Sequence, residues 1–151
     1  MKNIVLLLAI LHTGVLHAQQ PWSKDQLDVQ KIVVDAFTTL SDKDAEGLRK
    51  LCTADAMFYE YGEAWPVDTL IDLAITQNTA ADFTRTNKLN FVNTTIQGNT
   101  AWTTYYLQSD FIHQDESSSV YWMETVILVH EENQWKIAVL HSTRIDKNKG
   151  Q

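Results

Sequence analysis

Val120 to Arg144 reads VYWMETVILVHEENQWKIAVLHSTR, and this stretch decides the fold. Two runs rich in β-branched and aromatic residues flank Glu131-Glu132-Asn133-Gln134, a short polar break of the kind that closes a hairpin. Each run has about ten residues, roughly 33 Å of strand at ~3.3 Å per residue. Trp122, Val126 and Leu128 share one face of the first run, and Tyr121, Met123, Ile127 and Val129 share the other. A sheet apolar on both faces has to be covered on both, by helices on one side and a partner subunit on the other. Glu124 is the misfit, a carboxylate set among the apolar residues of its face. The search for function starts there.

Upstream, the apolar residues Leu27, Val29, Ile32, Val33, Ala36, Phe37 and Leu40 recur at helical spacing between Asp25 and Leu40. Ser41-Asp42-Lys43-Asp44 breaks that helix, and Asp44 caps a second one running through Cys52. Ala56 to Tyr61 reads as a short strand ended by Gly62, and Pro66 starts a third helix over Val67 to Asn78. The Thr/Asn/Asp-rich stretch from Thr76 to Asn87 reads as a loop. Strands follow over Lys88 to Gln97, Thr100 to His113, Ser119 to Val129 and Gln134 to Arg144, with Gly98-Asn99 a tight turn and Gln114 to Ser118 a longer break. The order predicts an α+β domain, with helices segregated on one side of a curved antiparallel sheet.

The N-terminus reads MKNIVLLLAILHTGVLHAQQ, one lysine before an apolar stretch and a Leu16-His17-Ala18 cleavage sequence. This is the pattern of a secretory signal, too short for a membrane anchor. Cleavage near Ala18 implies an exported protein, periplasmic or secreted, with no membrane insertion afterwards. Cys52 is the lone cysteine, so no internal disulfide forms. Its apolar neighbours suit a buried structural thiol rather than a nucleophile. The formal charge of −7, without a Lys/Arg cluster outside the terminal Lys147 and Lys149, argues against nucleic acid and anionic membranes as partners.

Asp55-Ala56 before the short strand, Glu124-Thr125, Gln134-Trp135-Lys136-Ile137 and His141-Ser142, in this order, resemble the nuclear transport factor 2-like superfamily. Within it the chain resembles SnoaL-like proteins and the association domain of calcium/calmodulin-dependent kinases. The resemblance spans Gln26 to Arg144 and divides the chain into a signal peptide (1–18), a leader (19–24), a SnoaL-like domain (25–145) and a polar tail (146–151). It implies a cone-shaped sheet whose concave side, closed by helices, makes one pocket, and dimers formed through the outer sheet face. It does not imply one activity, because isomerases, dehydratases, epoxide hydrolases, cyclases and non-catalytic binders share the fold.

In the ketosteroid isomerases of that superfamily the catalytic base ends the short strand, which corresponds to Glu60. The kinase association domain places pocket-facing groups at positions matching Val126 and Ser142. Alternation from these anchors turns Phe58, Trp122, Glu124, Val126 and Leu128 inward, with Ala138, Leu140, Ser142 and Arg144, and with Trp102, Thr104, Tyr106 and Gln108 on the central strand. The outer face then holds Tyr105, Leu107, Met123, Ile127, Trp135, Ile137, Val139 and His141, and a homodimer is the simplest cover for it.

Two readings stand for each candidate. Glu60 is a general base raised by desolvation, or a strand-end carboxylate reaching solvent or an arginine. Glu124 with Arg144 binds a polar ligand, or forms a structural ion pair that holds strand register. Trp102, Trp122, Tyr106 and Phe58 pack a flat ligand, or simply fill the core. His113, His130 and His141 lack metal-site spacing, and Ser142 points away from its neighbour His141, so no metal and no Ser-His pair is expected. The resulting expectation is an exported domain binding an unknown small molecule, with Phe58, Trp102, Thr104, Tyr106, Gln108, Trp122, Glu124, Ser142 and Arg144 as contacts. The alternatives are a cofactor-independent isomerase, dehydratase or cyclase using Glu60 as base and Tyr106 or Arg144 to steady an oxyanion, and a dimeric assembly module without ligand. None of these requires a cofactor.

Overall fold

The computed structural model describes residues 21–146. The expected signal segment 1–18, the start of the leader and most of the polar tail lie outside the described residues. Helix α1 (Lys24–Asp42) starts at a capping box, in which the Ser23 hydroxyl accepts from the Gln26 backbone and the Gln26 side chain accepts from the Ser23 N–H. It ends at Lys43 in the left-handed region (φ 56°), whose Nζ donates to the carbonyls of Asn78 and Ala80 at 2.9 and 2.8 Å. Asp44 caps α2 (Ala45–Lys50) by accepting from the Gly47 N–H. That helix is shorter than expected, because Cys52 already belongs to strand β1 (Cys52–Glu60). A strand absent from the sequence reading, β2 (Glu63–Pro66), precedes α3 (Val67–Ile71), which continues as a π-helical turn over Asp72–Thr76.

Strands β3 (Thr84–Gln97), β4 (Thr100–His113), β5 (Glu116–Glu131) and β6 (Gln134–Ile145) complete a six-stranded sheet in the order β2-β1-β6-β5-β4-β3. The sheet is curved and unclosed. It is mixed rather than wholly antiparallel, because β1 runs parallel to β6. Two-residue turns join β1 to β2, β3 to β4, β4 to β5 and β5 to β6. In three of them both central residues have positive φ: Tyr61-Gly62 (51° and 83°), Gln114-Asp115 (52° and 63°) and Glu132-Asn133 (50° and 62°). That geometry matches the right-handed twist of the flanking strands.

Helix α1 lays Val29, Val33, Ala36 and Phe37 onto the concave face, where Ala101, Tyr105, Leu107, Val126, Leu128 and Ile137 are also buried. Each large aliphatic or aromatic side chain so buried stabilises the fold by about 1.5–3 kcal/mol. Among the described residues no helix is long and apolar enough to cross a membrane.

The concave face differs from the expected one on β4. The turn Gln114-Asp115 has two residues, not the longer break expected, and it pairs His113 with Glu116. Odd residues of β4 therefore lie opposite even residues of β5: Tyr105 faces Glu124, Thr103 faces Val126 and Ala101 faces Leu128. Residues Trp102, Thr104, Tyr106 and Gln108 are turned to the outer face, opposite Ile127, Thr125, Met123 and Tyr121. Tyr105 and Leu107, expected outside, are 0% and 2% exposed. A second correction concerns β6. A bulge between the pairs Leu128–Ile137 and Ile127–Val139 inserts Ala138 as an extra residue, so Ile137 joins the core at 1% exposure while Leu140 and Ser142 stay inside.

Candidate functional site

One end of the space between helices and sheet remains open as a cavity of about 200 Å³. Helix α1 supplies Val33, Ala36, Phe37 and Leu40 to its wall, and α2 supplies Leu48. The sheet supplies Phe58, Glu60, Trp122, Glu124, Ile137 and Leu140, while Arg85 and Phe111 come from β3 and β4. Tyr61, Trp65 and Leu70 belong to the hairpin and helix that follow β1. The wall is apolar and aromatic except for three charged groups: Glu60, Glu124 and Arg85. Convergence of a few ionisable groups in an apolar cavity is the usual form of a small-molecule site.

Glu124 is 3% exposed. Its Oε1 accepts from the Ser142 hydroxyl at 3.0 Å, and its Oε2 has no hydrogen-bond partner among the described residues. Burial pushes its carboxyl up to about 7; the nearby Glu60 charge adds to the shift, while Tyr105, Ser142 and Arg85 oppose it. The Tyr105 hydroxyl lies near enough to affect that carboxyl, yet it too lacks a partner with hydrogen-bond geometry. Burial raises the Tyr105 phenol well above its ordinary value, and the Glu124 charge pushes it the same way. Glu60 is partly buried at the end of β1 and is raised by desolvation, against the lowering effects of the Ser142 hydroxyl and the Arg85 charge.

Arg85 is half-buried, and its hydrogen-bond partners are neutral. Nε donates to Asn87 Oδ1 at 2.9 Å and Nη2 donates to Ser109 Oγ at 3.1 Å. Ser109 in turn donates to Asn87, whose amide donates to Phe37 O and Ser41 Oγ at the end of α1. The rings of Phe37 and Phe111 flank the guanidinium, at 5.5 and 5.4 Å from its carbon. Burial lowers its proton affinity, while the Glu124 and Glu60 charges hold it up. These carboxylates act on Arg85 through space without a direct ion pair.

Of the residues expected to form the site, Phe58, Glu60, Trp122, Glu124 and Ser142 come together here. Trp102, Thr104, Tyr106 and Gln108 do not; Tyr106 is 46% exposed on the outer face, and Gln108 donates to Asp110 on that same face. Arg144 is exposed at the end of β6, and the expected Glu124–Arg144 ion pair does not form. Arg85 takes the place of the missing cation. It was hidden in the stretch read as a loop, although Arg85, Asn87 and Leu89 already alternate with Thr84, Thr86 and Lys88 as strand residues do. Tyr105 was missed through the parity of β4 alone. Among the described residues no cluster of three or more His, Cys, Asp or Glu residues could hold a metal ion.

The fold is an α+β half-barrel with a cavity on its concave side. The SnoaL-like domain family model matches residues 29–145, and the chain belongs to that family. Comparison with curated proteins returns no match. Among solved structures, the hub homology domain of calcium/calmodulin-dependent kinase II from Chlamydomonas reinhardtii superimposes with a TM-score of 0.73 at 13% identity, covering 82% of this chain and 100% of that one. A ketosteroid isomerase-like protein from Erwinia carotovora atroseptica gives 0.67 at 11% identity, covering 83% and 99%. The kinase II association domain of C. elegans gives 0.65 at 16% identity, covering 79% and 95%. At these identities the likeness shows the fold alone.

Proposed function

We propose that this protein binds a small, flat, partly apolar molecule in the concave cavity, with the ligand's polar end toward Glu60, Glu124 and Arg85. One observation carries this reading. One buried oxygen, Glu124 Oε2, has no hydrogen bond of good geometry among the described residues, and its carboxyl lines a cavity shared with a guanidinium that has no direct ion pair. An unpaired buried polar group costs about 1–3 kcal/mol, and a ligand that supplies partners recovers that cost. A neutral bicyclic ketone, 1-indanone, is a suitable probe, followed through the fluorescence of Trp65 and Trp122. Saturable binding, lost when Ala36→Phe fills the cavity, supports the reading; an unchanged signal up to the solubility limit refutes it.

A second reading rests on Glu60, a carboxylate raised by desolvation with an oxyanion-stabilising set opposite it. In this reading Glu60 removes a proton from the carbon next to a carbonyl. The enolate oxygen is then held by the protonated Glu124 and by Arg85, in place of the Tyr106 or Arg144 expected from the sequence. Deuterium wash-in at the carbon beside the 1-indanone carbonyl, in heavy water, measures this step directly. Exchange faster than buffer and abolished by Glu60→Gln supports catalysis, whereas exchange at the buffer rate leaves a binder.

We also propose that the protein self-associates through the outer sheet face. Tyr106, Met123 and Ile127 lie there together at 46%, 42% and 38% exposure. Ile127→Glu should convert a dimer to a monomer in sedimentation, and a wild-type monomer at micromolar concentration would contradict the proposal. Export with cleavage near Ala18 completes the reading, and the intact mass of the protein recovered from the exported fraction tests it.

A further inference from the structure

Arg85 restricts what the cavity can hold more than any other residue in it. The rings of Phe37 and Phe111 lie within 5.5 Å of its guanidinium carbon, and Nε and Nη2 are engaged by Asn87 and Ser109. Nη1 is left without a protein partner among the described residues. Asn87 is itself tied to the end of α1, so the guanidinium cannot swing to solvent without breaking that network. A half-buried cation held this way, without a direct ion pair, keeps the Nη1 donor unoccupied, and a planar carboxylate matches that edge best in shape and sign.

We propose that the ligand is a single-ring carboxylic acid, bound with its carboxylate on the free edge of Arg85 and its ring against Phe58 and Trp122. The proposal rests on the pocket reading above and names the chemical class that reading leaves open. The cavity of about 200 Å³ has the volume of about seven liquid waters at ~30 Å³ each, which suits one ring with a short acid arm. Two carboxyl groups in the same cavity disfavour a doubly charged phosphate. The groups that titrate or carry charge around the site are Glu60 and Tyr61 at the β1 end, Arg85 on β3, Tyr105 on β4 and Glu124 on β5; the lining residues of α1 and α2 are all apolar. Anion binding favours the protonated carboxyls, so the acid binds with proton uptake and its affinity falls as pH rises through neutrality.

Calorimetric titration of the protein with phenylacetate and with its neutral isostere phenylacetamide tests the proposal. At pH 6 the acid should bind about tenfold to a hundredfold more tightly, the range of a charge-assisted hydrogen bond. Arg85→Gln should erase that preference, and Arg85→Lys, which keeps the charge without the fork, should restore part of it. Equal affinity of acid and amide for the wild type overturns this inference and leaves the pocket reading intact, whatever the variants do. Failure of phenylacetate, phenylacetamide and 1-indanone alike overturns both. Arg85, Leu40 and Phe111 also border a shallower cavity beside Phe83. Phenylacetate binding that survives Ala36→Phe would place the anion there and overturn the proposed pose.

Discussion

The two ends of the space between α1 and the sheet are built from the same elements and finished differently. At the end near Val29, every step is closed. Gln30 donates to Thr94, Thr94 and Thr103 share a hydrogen bond of 2.8 Å, and Thr103 donates to Asn93 O. Val29, Ala101, Val126 and Leu128 fill the remaining space at 0% exposure. At the end near Phe37, a polar set is left open, with Glu124 Oε2 lacking a hydrogen bond of good geometry beside the Tyr105 hydroxyl, and Arg85 held without a direct ion pair. The closed end shows that this chain can satisfy buried polar groups with its own side chains. Thr53 Oγ1 is unpartnered too and does not line the cavity, so the contrast rests on Glu124, whose open carboxyl oxygen belongs to a cavity wall.

Substitutions can sharpen that contrast. Leu128→Ala, in the closed end, should cost about 2–5 kcal/mol in urea unfolding. Leu140→Ala, on the cavity wall, should cost clearly less, since it enlarges a space that already exists. Equal losses would mean the open end is packed as firmly as the closed one.

The next effect is on pH dependence. Glu124 holds its proton to about pH 7 in the folded protein, while the unfolded chain releases it near 4.5. Its folded-state value is raised, so the stability it contributes is fully present below 4.5 and is lost as pH climbs toward about 7. The loss is on the order of 3 kcal/mol. Glu60 is raised as well and adds to the same slope. Glu124→Gln should remove this fall relative to the wild type, and a variant with the same pH dependence as the wild type would contradict the buried carboxyl.

Thr103→Val should cost about 1–3 kcal/mol in the same unfolding assay, by leaving the buried Thr94 hydroxyl without its acceptor. A neutral result would show that the closed end does not depend on its hydroxyl chain. The smallest change is expected at Ser142→Ala. The hydroxyl lowers both carboxyls, so its loss should move Glu60 and Glu124 further up, read from the side-chain carbons by NMR against pH.

The fold was legible where periodicity was long and turns were short. The hairpin of β5 and β6 and the amphipathic α1 could be read directly, and so could the family order of Asp55-Ala56, Glu124 and His141-Ser142. Half of the site followed from β1 and β5, where Phe58, Glu60, Trp122 and Glu124 alternate on one strand face. The other half depended on parity across a turn. A two-residue turn and a longer loop at Gln114 reverse the facing of all of β4, and the sequence there, Gln-Asp-Glu-Ser-Ser, is compatible with both. The bulge at Ala138 moved Ile137 inward in the same way. Arg85 was lost for a different reason, since a polar, threonine-rich edge strand carries little of the apolar alternation that marks strands.

Native mass spectrometry of the protein purified from the cells that make it tests the central claim most directly, with Ala36→Phe measured alongside. The account predicts a reproducible extra mass, that of a small organic acid, on the wild type and none on the variant. Identical bare masses for both, under conditions that preserve the folded state, would contradict it.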